Sequence, residues 1–136
     1  MASGNLQGNL KVWDLKDKRL IYNVKRHTAR ITDIKFSSDD RLIAVAGFDN
    51  TCTLWDASNL NIVPLKIKSS SWVLSVAFSS FADKLVLGAS RENRVTIWPT
   101  KITEVASLVY KKINRNFTAD EWSNYIGADV KYEKTK

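Results

Sequence analysis

Thr51-Cys52-Thr53-Leu54-Trp55-Asp56 is an alternating run of β-branched, small and aromatic residues closing on Trp-Asp, and its ending recurs along the 136-residue chain. Val12-Trp13-Asp14 precedes it and Ile97-Trp98-Pro99 follows it. The first two tryptophans stand 42 residues apart and the last two 43, a period that marks stacked copies of one supersecondary unit. Upstream of each tryptophan the copies keep step. Ile34-Lys35-Phe36-Ser37-Ser38 matches Val76-Ala77-Phe78-Ser79-Ser80, and each is followed by a polar turn containing Asp39-Asp40 or Asp83. Leu42-Ile43-Ala44-Val45-Ala46-Gly47 then matches Leu85-Val86-Leu87-Gly88-Ala89-Ser90. These runs are too short for stable helices, are rich in β-branched or small residues and are bounded by turn formers, so they predict an all-β chain of antiparallel hairpins with strands buried on both faces.

Residues 1–99 resemble the WD-repeat (WD40) β-propeller family, whose units read as a glycine-histidine pair, a strand ending near Phe-Ser, a polar turn, a strand, an aspartate turn and a strand closing on Trp-Asp. The resemblance implies two to three four-stranded blades over residues 1–98: a partial blade at 1–25, a full blade at 26–68 and a three-stranded last blade at 69–98. In the full blade the outer strand is expected over Ile62 to Ile67. In this family a hydrogen-bond chain runs from the tryptophan through a strand hydroxyl and a histidine to the turn aspartate. By that pattern the network residues are Ser3 and Trp13 in the first unit, His27, Asp49 and Trp55 in the second, and Asn93 and Trp98 in the third. The second unit is expected to lack the hydroxyl, with Val45 at its position, and Ser69 stands near the histidine position of the third. Direct pairing of His27 with Asp49 is expected, because a buried imidazole needs a partner.

From Thr100 onward the period changes. Ile102, Val105, Ala106, Leu108, Val109 and Ile113 fall at helical spacing, and Thr118 with Glu121 forms a capping-box pattern before Gly127. Residues 99–136 are therefore expected to form a short helical tail that packs Trp122 and Tyr125 on the propeller, with a partner-binding helix as the alternative. Residues 108–135 resemble the closing segment of bacterial WD-repeat proteins, which often carry an enzymatic or NTPase module before the propeller, although Lys136 stands where that segment often has a cysteine.

Composition and motifs narrow the function. With 44% hydrophobic and 26% charged residues and no apolar run long enough to cross a bilayer, the chain reads as globular, and residues 1–8 lack the features of a secretory signal. A single cysteine, Cys52, within an apolar strand suits a reduced cytoplasm. The sequence contains no phosphate-binding glycine loop, nucleophile elbow or ligand cluster with metal spacing, so an enzyme, a cofactor and a metal are not expected. His27 alone is a structural histidine by this reasoning, and Asp39-Asp40 a turn rather than a catalytic pair.

Binding is the expected role. Family analogy places Arg30, Thr32, Phe48, Trp72, Leu74 and Glu92 on a candidate partner-binding face, and Arg30, Phe48 and Trp72 are of types enriched in interface hot spots. A blade cannot bury both faces alone. The expected partners are therefore further blades, from upstream sequence or another chain, together with a protein or effector domain. The whole is read as an interaction scaffold or sensory propeller within a larger bacterial signalling or defence-type protein. The alternative follows from the net charge of +7: a basic surface, including Lys66, Lys68 and Arg94, that binds nucleic acid or another polyanion.

Overall fold

The computed structural model of the chain describes residues 1–91 and 95–101. Among the described residues, ten strands form three antiparallel sheets. The first holds β1 (Ala2–Gly4), β2 (Asn9–Asp14) and β3 (Arg19–Lys25) in chain order. In the middle sheet β4 (Ile31–Phe36), β5 (Leu42–Gly47), β6 (Thr51–Asp56) and β7 (Leu65–Lys68) also pair in order. The third comprises β8 (Val73–Phe78), β9 (Lys84–Ala89) and β10 (Val95–Pro99). Of the helical tail expected over residues 99–136, Pro99 is the last residue of β10, Thr100 and Lys101 follow it, and the remainder lies outside the described residues.

Two strand boundaries differ from expectation, both because of proline. The outer strand of the middle sheet begins at Leu65 rather than Ile62, since Pro64 has no N–H to donate and the Ile62 N–H is spent on the Asn59 carbonyl at 3.2 Å. β10 continues one residue past Trp98, because Pro99 sits opposite Lys84 on the last strand of its sheet, where a missing donor disturbs no further ladder.

Strand periodicity explains the core. Along β5, Ala44 and Ala46 point to one face of the middle sheet, with Cys52 and Leu54 of β6. There they pack with Val73, Val76, Leu85 and Leu87 of the third sheet. The alternate residues Ile43, Val45 and Trp55 point the other way and pack with Leu10 and Val12 of the first sheet. Tyr22 adds an edge-on contact to Trp55 at 5.8 Å between ring centres. A strand buried on both faces cannot alternate apolar with polar residues, which is why Leu42 to Gly47 contains no polar side chain.

The hairpin turns are clamped by the repeated serine. Ser37 Oγ donates to Asp39 at 2.6 Å and accepts the Leu42 N–H at 2.9 Å. Ser79 Oγ donates to Asp83 and accepts the Lys84 N–H at 3.1 Å. These hydroxyl bonds, the largest cause in each case, hold Asp39 and Asp83 below the usual carboxylate range.

Candidate interaction face

The connections at one end of the sheets build a buried hydrogen-bond relay beneath an exposed surface. His27, in the β3–β4 loop, is almost fully buried, and its Nδ1 lies 3.0 Å from Asp49 Oδ1 while its Nε2 lies 3.0 Å from Thr53 Oγ1. Trp55 Nε1 donates to the same hydroxyl at 2.9 Å. All partners are satisfied when the indole N–H donates to Thr53, Thr53 donates to Nε2, and Nδ1–H donates to Asp49. Burial pushes Asp49 up, but hydrogen bonds from Thr51, His27 and the Thr28 N–H outweigh it and leave the carboxyl below its ordinary value.

The expectation of a missing hydroxyl is corrected here. Val45 and Thr53 are directly opposed partners on β5 and β6, so their side chains occupy adjacent space on the same face. The hydroxyl comes from the strand next to the one expected. In the first sheet the arrangement is mirrored: Trp13 Nε1 donates to Ser3 Oγ at 3.3 Å, and Ser3 lies opposite Lys11 on the neighbouring strand. Trp98 is partly exposed, and Asn93 lies outside the described residues.

Above the relay, Arg30, Phe48 and Trp72 come together although they belong to three separate connections. The Phe48 and Trp72 rings stack with centres 4.9 Å apart and planes inclined by 27°, and the Arg30 guanidinium lies 5.9 Å from the Phe48 ring centre. The Phe48 N–H, bonded to the Arg30 carbonyl at 2.9 Å, fixes the pair. Trp72 remains 50% exposed. Thr32 is used differently, because it sits in the β4 bulge and donates its hydroxyl to the Val73 carbonyl at 2.6 Å, tying the middle and third sheets together. Leu74, in the matching bulge of β8, is exposed, and Glu92 lies outside the described residues.

Beside Trp72 is a polar cavity of about 140 Å³, lined by Asn50, Ser70, Ser71, Trp72, Ser90 and Arg91. Sequence reasoning passed over Asn50 and Arg91. The serine run preceding Trp72 was the available signal. A second cleft, of about 500 Å³, opens at the opposite end among Asp39, Arg41, Asp56, Phe81 and Lys101.

The family model "WD domain, G-beta repeat" matches residues 18–56, from the first sheet's outer strand to the end of β6. The chain belongs to the WD-repeat family. The sequence repeat of this WD-repeat chain thus straddles two sheets, so that each copy ties one blade to the next. It is 34% identical over 92 residues to eukaryotic translation initiation factor 3 subunit I of Bombyx mori, covering 68% of this chain and 28% of that protein. It is also 34% identical over 101 residues to WD repeat and SOCS box-containing protein 1 of Homo sapiens, covering 72% and 24% respectively. The initiation-factor subunit of Culex quinquefasciatus is 31% identical over 102 residues, covering 74% of this chain and 31% of its own length. The WD-repeat chain spans about a quarter to a third of the length of the curated relatives it matches.

Proposed function

We propose that this chain is a non-catalytic protein-interaction module, whose contact surface is the sheet end carrying Arg30, Phe48 and Trp72. The observation that carries this is the stacked Phe48–Trp72 pair with Arg30 beside it: a rigid aromatic platform left half open to solvent above a fully bonded relay. Rigid aromatic and arginine anchors are the residues that concentrate binding energy in protein interfaces. The relay below has no reacting atom to serve; its bonds hold the loops that present the platform. The named relatives, an initiation-factor subunit and a SOCS-box protein, fit a role in assembly rather than in catalysis.

A regulatory or scaffolding part within a longer cytoplasmic protein, of the bacterial signalling kind suggested by residues 108–135, is the form this function takes in our proposal, with further blades covering the outer sheets. Val95 and Ile97 support those blades, being 60% and 57% exposed where their counterparts Cys52 and Leu54 are buried. No helix among the described residues is long and apolar enough to cross a membrane.

The test is proximity cross-linking with a photoreactive residue placed at Leu74, comparing the unaltered chain with Trp72→Ala and with Phe81→Ala at the far end. Specific protein cross-links should be lost with Trp72→Ala and kept with Phe81→Ala. Equal cross-linking by all three would refute the assignment of this face.

A further inference from the structure

We propose that the cavity beside Trp72 is a subsite for an oxyanion-bearing side chain of an acidic peptide segment. The inference rests on the contact face assigned above and names the chemistry of the partner. Three observations lead to it.

The first is charge. Lys25, Arg26, Arg30, Lys68 and Arg91 all stand at the sheet end that carries the platform, at the ends of β3, β7 and β9 or in the adjoining connections. Among the described residues, none of them forms an ion pair. The carboxylates nearby are already engaged. Asp49 accepts from His27, Thr28 and Thr51, and Asp33, within β4, accepts the Val76 N–H at 3.1 Å and lies 3.6 Å from Lys35 Nζ. Among the described residues, this end therefore presents cationic charge without an ion-pair partner.

The second is the lining of the cavity. Arg91 brings a guanidinium that is always charged, Ser71 and Ser90 bring hydroxyls, and Trp72 forms an apolar wall beside them. Planar bidentate donors and hydroxyls are the groups that hold a carboxylate or a phosphate. A volume of about 140 Å³ suits one side-chain head group and is far below the size of pockets that enclose whole small-molecule ligands.

The third is Asn50. Its Oδ1 is buried with no hydrogen-bond partner among the described residues. Its backbone, at φ 61°, is in the left-handed region, and its carbonyl is taken by the Ser69 N–H at 2.8 Å. A buried acceptor left unpaired is costly, and because Asn50 lines the cavity, a turn of its side chain towards the opening would let a backbone N–H of a bound peptide satisfy it. One acidic residue supplies both complements: its carboxylate for Arg91 and its amide N–H for Asn50. The neighbouring residue then lies over Trp72.

The experiment selects phage-displayed random dodecapeptides on the immobilised full chain. The leading peptide is then titrated, fluorescein-labelled, against the chain and against Trp72→Ser, Arg91→Ser, Asn50→Gly and Arg41→Ser. Glycine keeps the positive φ at position 50, and Arg41 lies at the opposite end. Enriched peptides should carry Asp or Glu next to an aromatic or aliphatic residue. Replacing that acid by its amide, or Arg91 by Ser, should weaken binding by ~10-fold or more. Asn50→Gly should weaken it less, and Arg41→Ser should leave it unchanged. A phosphoserine version that binds more tightly identifies phosphate as the source of the oxyanion and supports the subsite.

Neutral peptides that bind in a Trp72-dependent way would overturn the oxyanion chemistry while leaving the contact face in place. Peptides indifferent to both Trp72 and Arg91, or a selection that enriches nothing, would overturn both. A labelled single-stranded dodecadeoxynucleotide that binds more tightly than the peptide, through Arg91 and with steep salt dependence, would overturn the proposal in favour of nucleic acid.

Discussion

Thr53→Val is the substitution that most directly tests how the middle sheet is held. Valine has the same branched shape and an equal preference for strands, so packing and propensity change little. What disappears is one hydroxyl, which accepts from Trp55 Nε1 at 2.9 Å and donates to His27 Nε2 at 3.0 Å. All three side chains are buried, so no water replaces it and two polar atoms are left unpaired. At roughly 1–3 kcal/mol for each buried unpaired group, the loss should be about 2–6 kcal/mol. Urea unfolding of the full chain, followed by tryptophan fluorescence, measures it. Val45→Thr, in the background of Thr53→Val, moves the hydroxyl to the directly opposed position, where Ser3 stands in relation to Trp13. The double variant should regain more than half of the loss. A loss below about 0.5 kcal/mol, the size of an ordinary surface substitution, would refute the relay as a stabilising element, and failure of Val45→Thr to rescue would refute the cross-strand explanation.

Three further outcomes follow from the same geometry. Gly47→Ala should destabilise the chain by about 2 kcal/mol or more in thermal unfolding, because the new Cβ would stand 2.7 Å from His27 Nδ1 and 2.9 Å from Asp49 Oδ1 and force that pair apart. Ala82→Gly should stabilise it by about 0.5–1 kcal/mol in urea, since Ala82 is held at φ 54° where the matching turn has Asp40 at φ 57°. Asp49 titrates lower in the folded chain than in the unfolded one, so its ionised form stabilises the fold above about pH 4, and that contribution is lost as the pH falls through the folded value. Asp49→Asn should therefore lower the urea midpoint at pH 6 and reduce its decline between pH 5 and pH 3; an unchanged acid limb would count against the assignment.

What the sequence revealed was whatever has a local signal. Alternation in Thr51 to Asp56, the Phe-Ser turns and the spacing of the tryptophans each report a contact made within one hairpin, and the WD-repeat family followed from them. Ile62 and Val63 are β formers and predict an outer strand starting three residues before Leu65, whereas Pro64 and the Asn59 turn decide where it starts. The linear pattern points to β5 for the relay hydroxyl, because only strand pairing shows that positions 45 and 53 are opposed. Arg30, Phe48 and Trp72 stood out by residue type, but their stacking joins loops from two sheets and has no trace in spacing. The sequence pattern puts Thr32 on the same exposed surface, whereas its hydroxyl, in the β4 bulge, bonds to a carbonyl of the next sheet. Asn50 and Arg91 carried no signal, since an asparagine in a turn and an arginine after a strand are ordinary loop residues.

The two ends of these sheets differ in what their polar groups are free to do. At the hairpin end, Asp14 accepts the Lys16 N–H, Asp39 the Arg41 N–H and Asp56 the Ser58 N–H, while Asp83 accepts the Ser79 hydroxyl. Each of these carboxylates closes its own turn, and the arrangement repeats because the turn repeats. At the other end the one aspartate turn among the described residues sinks its carboxylate into the His27 relay, and the cations around it form no ion pair with a described acid. The acids of the hairpin end thus serve its turns, while at the other end Lys25, Arg26, Arg30, Lys68 and Arg91 stand around an exposed aromatic stack. A surface of that kind departs from the turn chemistry of the hairpin end, and this departure is the reason for proposing it as the contact face.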